Sequence, residues 1–193
     1  MKRLVYAVVS LLLLSLTVKA DDKVSAEEFV KCKLDSAFAV LQNDDLQQEA
    51  KKKAVVDIVT PMFDFELMAK LSLGKKYWPD LTDQNKEKFT ELFVKRLRTS
   101  YLDKLTLYTD ERVTFESPVQ VKSKIHVPTY LVSKEKKISM LYKLYKSKNT
   151  WKIYDVEIQG VSIIRSYRAQ FTAILENGTA DDLFLKMEES VAD

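Results

Sequence analysis

The chain has 193 residues, 46% of them hydrophobic and 31% charged, with only 3 Gly, 4 Pro and 1 Cys. That length suits one domain with a substantial core, the lone cysteine excludes an intramolecular disulfide, and so few Gly and Pro exclude a low-complexity linker. The 31 Lys plus Arg nearly balance the 28 Asp plus Glu, which gives the chain no electrostatic reason to seek nucleic acid or to coat an anionic membrane.

Lys2 and Arg3 precede an uncharged stretch from Leu4 to Val18 that contains the run Leu11-Leu12-Leu13-Leu14. Val18-Lys19-Ala20 and the acidic pair Asp21-Asp22 follow. This order predicts a cleavable secretory signal over residues 1–20 and a single domain over residues 21–193. The apolar stretch is shorter than the roughly 20 residues that span a bilayer, and no cysteine stands just after it for lipid attachment. Removing Lys2, Arg3 and Lys19 leaves 28 basic against 28 acidic residues, a formally neutral domain.

The first half of that domain reads as helices. Ser25-Ala26-Glu27-Glu28 has the form of a capping box, and Phe29, Cys32, Ala37, Phe38 and Leu41 recur behind it at helical spacing, with Cys32 expected as a small core residue. A second helix is predicted from Leu46 to Val59, stopped by Pro61, and a short third one follows Asp64 and ends near Gly74. Thr82 or Asp83 can cap a fourth, along which Phe89, Phe93, Leu97, Tyr101 and Leu105 form a slowly winding stripe, with Leu92 and Leu102 beside it.

After Tyr108 the period changes to that of strands. Arg112–Ser117, Ser123–Val132, Lys137–Lys146 and Trp151–Ile158 are rich in Val, Ile, Tyr and Thr and are separated by polar or Pro-containing breaks. Ile138, Met140, Tyr142 and Leu144 alternate with a mixed set, as expected for an antiparallel sheet covered mainly on one face. Gly160 turns the chain into an amphipathic helix carrying Val161, Ile164, Phe171, Ile174 and Leu175. Asn177-Gly178 ends that helix, and a last one starts near Asp181. The expected fold is α+β: a four-stranded antiparallel sheet packed against several helices.

The catalytic inventory is thin. His126 is the single histidine, with no cluster of ligands at metal spacing around it, and there is neither a phosphate-cradling glycine loop nor a G-x-S-x-G elbow. Asp155 is the one carboxylate that could act as a buried general base. Strict alternation places it beside Glu157 on one face, which reads as partly solvated surface, with Tyr154, Val156 and Ile158 on the other. Asn177-Gly178-Thr179 matches a glycosylation sequon, and helix termination explains it more simply.

Three segments together resemble the MlaC, or toluene-tolerance, family of periplasmic phospholipid-binding proteins. They are Phe63-Asp64-Phe65-Glu66-Leu67-Met68-Ala69 leading to Leu73-Gly74 and Tyr77-Trp78; the stripe of Phe89, Phe93, Leu97, Tyr101 and Tyr108; and Trp151-Lys152-Ile153-Tyr154-Asp155-Val156 followed by Gly160-Val161-Ser162 and Tyr167-Arg168-Ala169-Gln170-Phe171. Departures are Lys75-Lys76 before Tyr77 and the lysine-rich stretch near Lys134–Lys137, both on the surface that would meet partners.

The resemblance implies a carrier rather than an enzyme, with no cofactor other than a phospholipid cargo. Its acyl tails would lie in an apolar pocket between sheet and helices. The carrier would shuttle between an outer-membrane lipoprotein complex and the MCE-domain subunit of an inner-membrane ABC transporter, and so serve outer-membrane lipid asymmetry. Exposing about 30 methylenes to water costs on the order of 20 kcal/mol, so a lipid crosses water only inside a dry site. By position the pocket wall is expected from Phe65, Met68, Leu71, Phe93, Leu97, Tyr101, Met140, Tyr142, Leu144, Tyr154, Val156, Ile158, Ile164 and Phe171. Lys75, Arg165 and Arg168 are candidates for a head-group phosphate. Two alternatives stand beside this reading: a hopanoid-type cargo, and an enzyme on a cone-shaped α+β fold using Asp155 and His126.

Overall fold

A computed structural model describes the backbone of residues 2–102, 112–132 and 136–192, and the side chains of 22–101, 112–132 and 136–189. Leu105, Tyr108, Lys134 and the residues of the expected signal therefore lie outside what can be said of side chains.

Helix α1 runs from Lys2 to Leu41. Because it continues upstream, Ser25 is an interior residue and not a cap; its hydroxyl accepts from Trp151 Nε1 at 2.9 Å. The buried row is Ala26, Val30, Ala37 and Leu41, a helical stripe that leaves Cys32 exposed, contrary to the expectation of a core cysteine. Helix α2, Gln48–Val59, returns antiparallel to α1. Its buried Lys51 donates to the Leu41 carbonyl at 2.8 Å, which supplies a cation and a donor to the end of α1, where carbonyls lack helical partners.

Pro61 does stop α2 and places a 3₁₀ turn over Thr60–Met62. Asp64 then caps α3, Phe65–Tyr77, by accepting from Leu67 N at 2.9 Å. Gly74 breaks that helix with φ 83° and ψ 173°, a backbone conformation open only to glycine. Thr82 caps α4, Asp83–Leu97, and the stripe continues into a π-helical turn over Arg98–Leu102.

The strands form one antiparallel meander. They are β1 Arg112–Phe115, β2 Val119–Val121, β3 Lys124–Val132, β4 Lys137–Ser147, β5 Thr150–Ile158 and β6 Val161–Ser162. The spatial order is β1-β3-β4-β5-β6, with β2 pairing β3 on the same edge as β1. Among the described residues the sheet thus has six strands rather than the four expected. The first expected strand stops at Phe115 and pairing on that edge resumes beyond Pro118, which has no N–H to offer, while β6 is a two-residue return after Gly160. Two-residue turns join β4 to β5 and β5 to β6, with left-handed φ at Lys148 (47°), Asn149 (69°), Gln159 (49°) and Gly160 (80°), the geometry that matches strand twist.

Helix α5, Ile163–Leu175, and helix α6, Ala180–Ala192, close the fold. Thr179 and Asp182 bond each other's backbone N–H at the start of α6, a reciprocal cap. Helices pack on the sheet face carrying Ile125, Val127, Tyr142, Leu144, Ile153 and Val156, all buried. Phe89, Phe93, Tyr167 and Phe171 stack edge-to-face and face-to-face between α4 and α5 at centroid distances of 5.3 to 6.4 Å. Gly74→Ala forces a side chain into a positive-φ position and is expected to lower the unfolding free energy by about 1–3 kcal/mol, measured by urea denaturation.

Candidate functional site: an apolar cavity between sheet and helices

The register of β5 against β4 contains one irregularity that decides which residues face inward. Tyr142 pairs with Val156 and Lys143 with Asp155, but Leu144 pairs with Ile153, so Tyr154 has no partner. One extra residue in a strand reverses its alternation. Trp151 and Ile153 before the bulge and Val156 and Ile158 after it therefore all face the helices. Tyr154 is turned to the opposite face, where its hydroxyl lies 3.4 Å from His126 Nε2 and its ring meets Tyr145 at 6.3 Å. Strict alternation had put Tyr154 in the pocket wall; the bulge removes it.

On the inward face a cavity of about 120 Å³ lies between β4–β5 and the helices. The sheet contributes Met140, Tyr142, Val156 and Ile158, and α3 contributes Phe65 and Met68. Leu97 ends α4, and Tyr101, carried by the π turn, adds its ring. These eight are where the sequence placed them. Leu34 of α1, Val59 of α2, Met62, Phe63 and Ile163 complete the wall and were not anticipated. Val59, Met62 and Phe63 flank Pro61, where a broken helix gives no periodicity to read. Ile163 lines the cavity in place of Ile164: Val161 and Ser162 form β6, so α5 starts only at Ile163, later than the expected helix that carried Val161.

The remaining expected wall residues have other surroundings. Phe93 and Phe171 are fully buried in the aromatic stack, Leu144 and Ile164 are buried in the core away from the cavity, and Leu71 lines a groove on another side of α3. Position along a periodic stripe cannot separate a filled core from the wall of a void, because both need the same apolar side chains.

Among the described residues no charged side chain lines the cavity. Its polar wall groups are the hydroxyls of Tyr101 and Tyr142 and the methionine sulfurs. Burial pushes both phenols above their ordinary value of 10, so both stay neutral at physiological pH. Tyr142 donates weakly to Met140 Sδ at 3.8 Å.

The ion pairs of β5 lie on its other face and edge. Asp155 is 5% exposed and accepts from Lys143 Nζ at 3.0 Å, Ser162 Oγ at 2.8 Å and Ile164 N at 3.2 Å. Glu157 accepts from the same Lys143 at 2.5 Å and from Arg165 at 2.9 Å. The two acids do share a face, as alternation predicted, yet they are shielded rather than solvated. Asp155 also anchors α5, since Ser162, the cap of that helix, donates to it while accepting from Arg165 N. With three donors in place and its carboxylate turned away from the cavity, Asp155 is arranged to anchor α5 rather than to act as a general base on a ligand in that cavity. His126 is held below its ordinary 6.5 first by burial and then by Lys143, and so remains neutral beside Tyr154.

The expected head-group residues also lie off the cavity. Arg165 is paired to Glu157. Arg168 donates from Nε and Nη2 to the Leu71 carbonyl, closing the helix end created at Gly74. Lys75 lines the groove beside that break.

Residues 32–189 match the family model described as MlaC protein. The chain belongs to the MlaC family. A curated relative in Haemophilus influenzae, the intermembrane phospholipid transport system binding protein MlaC, is 25% identical over 138 residues, covering 68% of this chain and 64% of that protein. The match thus spans under two thirds of the relative's length. Among solved structures, a phospholipid-binding protein from Ralstonia solanacearum, determined in complex with a phospholipid, superposes with a TM-score of 0.78 at 21% identity, over 87% of this chain and 97% of that one. This likeness shows that the α+β arrangement of six helices and an antiparallel sheet is the MlaC fold.

The Lys143 cluster has a defined pH signature. The Lys143 hydrogen bond and charge, with Arg165, hold the Glu157 carboxyl below its ordinary 4.5. Its contribution to stability is complete above the unfolded value and is lost as pH falls through the lower folded one. Glu157→Gln is expected to flatten the decline of Tm with acidification below about pH 4.5, and Asp155→Ala to cost about 3 kcal/mol at neutral pH because Lys143, Ser162 and Ile164 N lose their acceptor. Thermal melts across pH check both.

Proposed function

We propose that this chain carries a phospholipid through water, holding its acyl tails in the cavity between β4–β5 and the helices. The observation that carries the reading is the composition of that wall: among the described residues, aliphatic, aromatic and thioether groups, two neutral phenols and no charge, in a chain that matches the MlaC family over residues 32–189. The relatives named as phospholipid-binding support the same cargo. Among the described residues no helix is long and apolar enough to cross a membrane.

At about 120 Å³ the cavity is below the roughly 300–1,000 Å³ of sites that enclose a drug-sized ligand. Loading a two-tailed lipid therefore requires the helical wall to move off the sheet. The wall contributed by α1 and α2 is suited to this, since its cavity contacts are apolar and lose little geometry on sliding, whereas α5 is tied to β5 through Asp155. Residues 1–20 act, in this reading, as an export signal whose removal frees a neutral domain to move between two membranes. Lipid would pass between an outer-membrane lipoprotein complex and an inner-membrane ABC transporter with an MCE-domain subunit, and the carrier needs no covalent step.

Native mass spectrometry and organic extraction of the purified protein test the proposal. Co-purified phospholipid, or its uptake from vesicles, is the expected result, and a homogeneous preparation showing neither would sink the idea. Met140→Trp/Ile158→Trp fills the cavity from two half-buried positions and should reduce lipid occupancy severalfold at a nearly unchanged Tm. His126→Ala should leave uptake intact; loss of uptake in that variant, with the fold retained, would revive a chemical role for the opposite face.

A further inference from the structure

Helix α3 presents two rows to two different spaces. Phe65 and Met68 face the cavity. Leu67, Lys70, Leu71 and Gly74, spaced i, i+3, i+4 and i+7, face a groove of about 500 Å³ closed on the far side by Arg168, Thr172 and Glu176 of the α5 region. Beyond the Gly74 break, Lys75, Lys76, Tyr77, Trp78 and Pro79 complete it.

The groove is amphipathic in a directed way. Lys70, Lys75, Lys76 and Arg168 supply four cations against the single carboxylate of Glu176. Lys70 and Lys75 are exposed and have no ion-pair partner among the described residues. Lys76 lies 4.8 Å above the Tyr77 ring. Arg168 directs two of its five N–H donors to Leu71 O, leaving others for a ligand. Between these heads the wall is Leu67, Leu71, Tyr77 and Trp78.

We infer that this groove is a second ligand site, which takes an anionic amphiphile: a phosphate or carboxylate head on the lysines and Arg168, with the adjoining hydrocarbon along Leu67, Leu71 and Tyr77. A bare anion would leave the apolar wall in water, a neutral apolar ligand would leave the cations unmatched, and a flat bilayer cannot enter a concavity. The volume lies within the roughly 300–1,000 Å³ of small-molecule sites. The inference does not rest on the carrier reading, because the groove and the cavity use different faces of α3 and different side chains.

Titration calorimetry of the full chain with dodecyl phosphate below its micelle concentration tests it, with dodecyl maltoside and inorganic phosphate as comparators. Dodecyl phosphate should bind, more weakly as salt rises, and both comparators at least about tenfold less tightly. Lys70→Glu/Lys75→Glu/Lys76→Glu should weaken binding by about tenfold or more, and the milder Lys70→Gln/Lys75→Gln should do so in the same direction should the triple variant fail to fold. Met140→Trp/Ile158→Trp, which fills the cavity, should leave the affinity within about twofold. Unchanged binding in the lysine variants, equal binding of either comparator, or loss of binding only on filling the cavity would each overturn the second site. Lipid co-purification reads the cavity separately, so failure of one leaves the other standing.

Discussion

The unpartnered Tyr154 in β5 governs how the sheet meets everything packed on it. Without the bulge, Ile153 and Val156 would face opposite sides, and either the start or the end of β5 would present its apolar residues to water. With it, both halves of the strand bury their apolar side chains under the helices. Asp155, displaced by the same step, comes to the edge where Ser162 and the first N–H groups of α5 arrive. One extra residue thus sets the inward face and the attachment point of α5.

That attachment distinguishes two ways in which the helices hold to the sheet. Around α4 and α5 the aromatic rings are fully buried and in mutual contact, and Asp155 ties this block to the sheet. Around α1 and the Pro61 turn apolar contacts with the sheet are joined by bonds from Trp151 to Ser25, Lys146 to Asp22, Lys152 to the Pro61 carbonyl and Asp64 N to the Ile153 carbonyl. The cavity lies where the two sides meet. Apolar surfaces re-form contacts with little regard to orientation, so a site bounded by them can change volume without stranding a buried polar group.

Charge follows the same partition. Lys143 gathers Asp155 and Glu157 on the face opposite the cavity, and the cationic rim near Gly74 faces away from it. Keeping ions off the cavity wall is a physical requirement for an apolar ligand, because a buried unpaired charge is far more costly than any single hydrophobic contact is favourable.

Much of this was legible in the residues themselves. The α+β order, the helix starts after Asp64 and at Thr82 or Asp83, the stop at Pro61, the meander and the family resemblance all rest on signals a few residues long or on motifs read in order, and such signals survive whatever packs against them. Eight of the cavity residues are among those expected by position once the resemblance implied a pocket between sheet and helices. What only the tertiary structure decided were properties of pairs of elements. The bulge at Tyr154 exists in the register between two strands, Ser25 and Cys32 take their surroundings from what α1 lies against, and hollowness beneath Met140 and Tyr142, in contrast to the filled core at Phe93 and Phe171, depends on how far apart the elements stand. An apolar side chain carries the instruction to leave water; whether it then meets a neighbour or a void is set by the distance to the next element, which its own sequence does not encode.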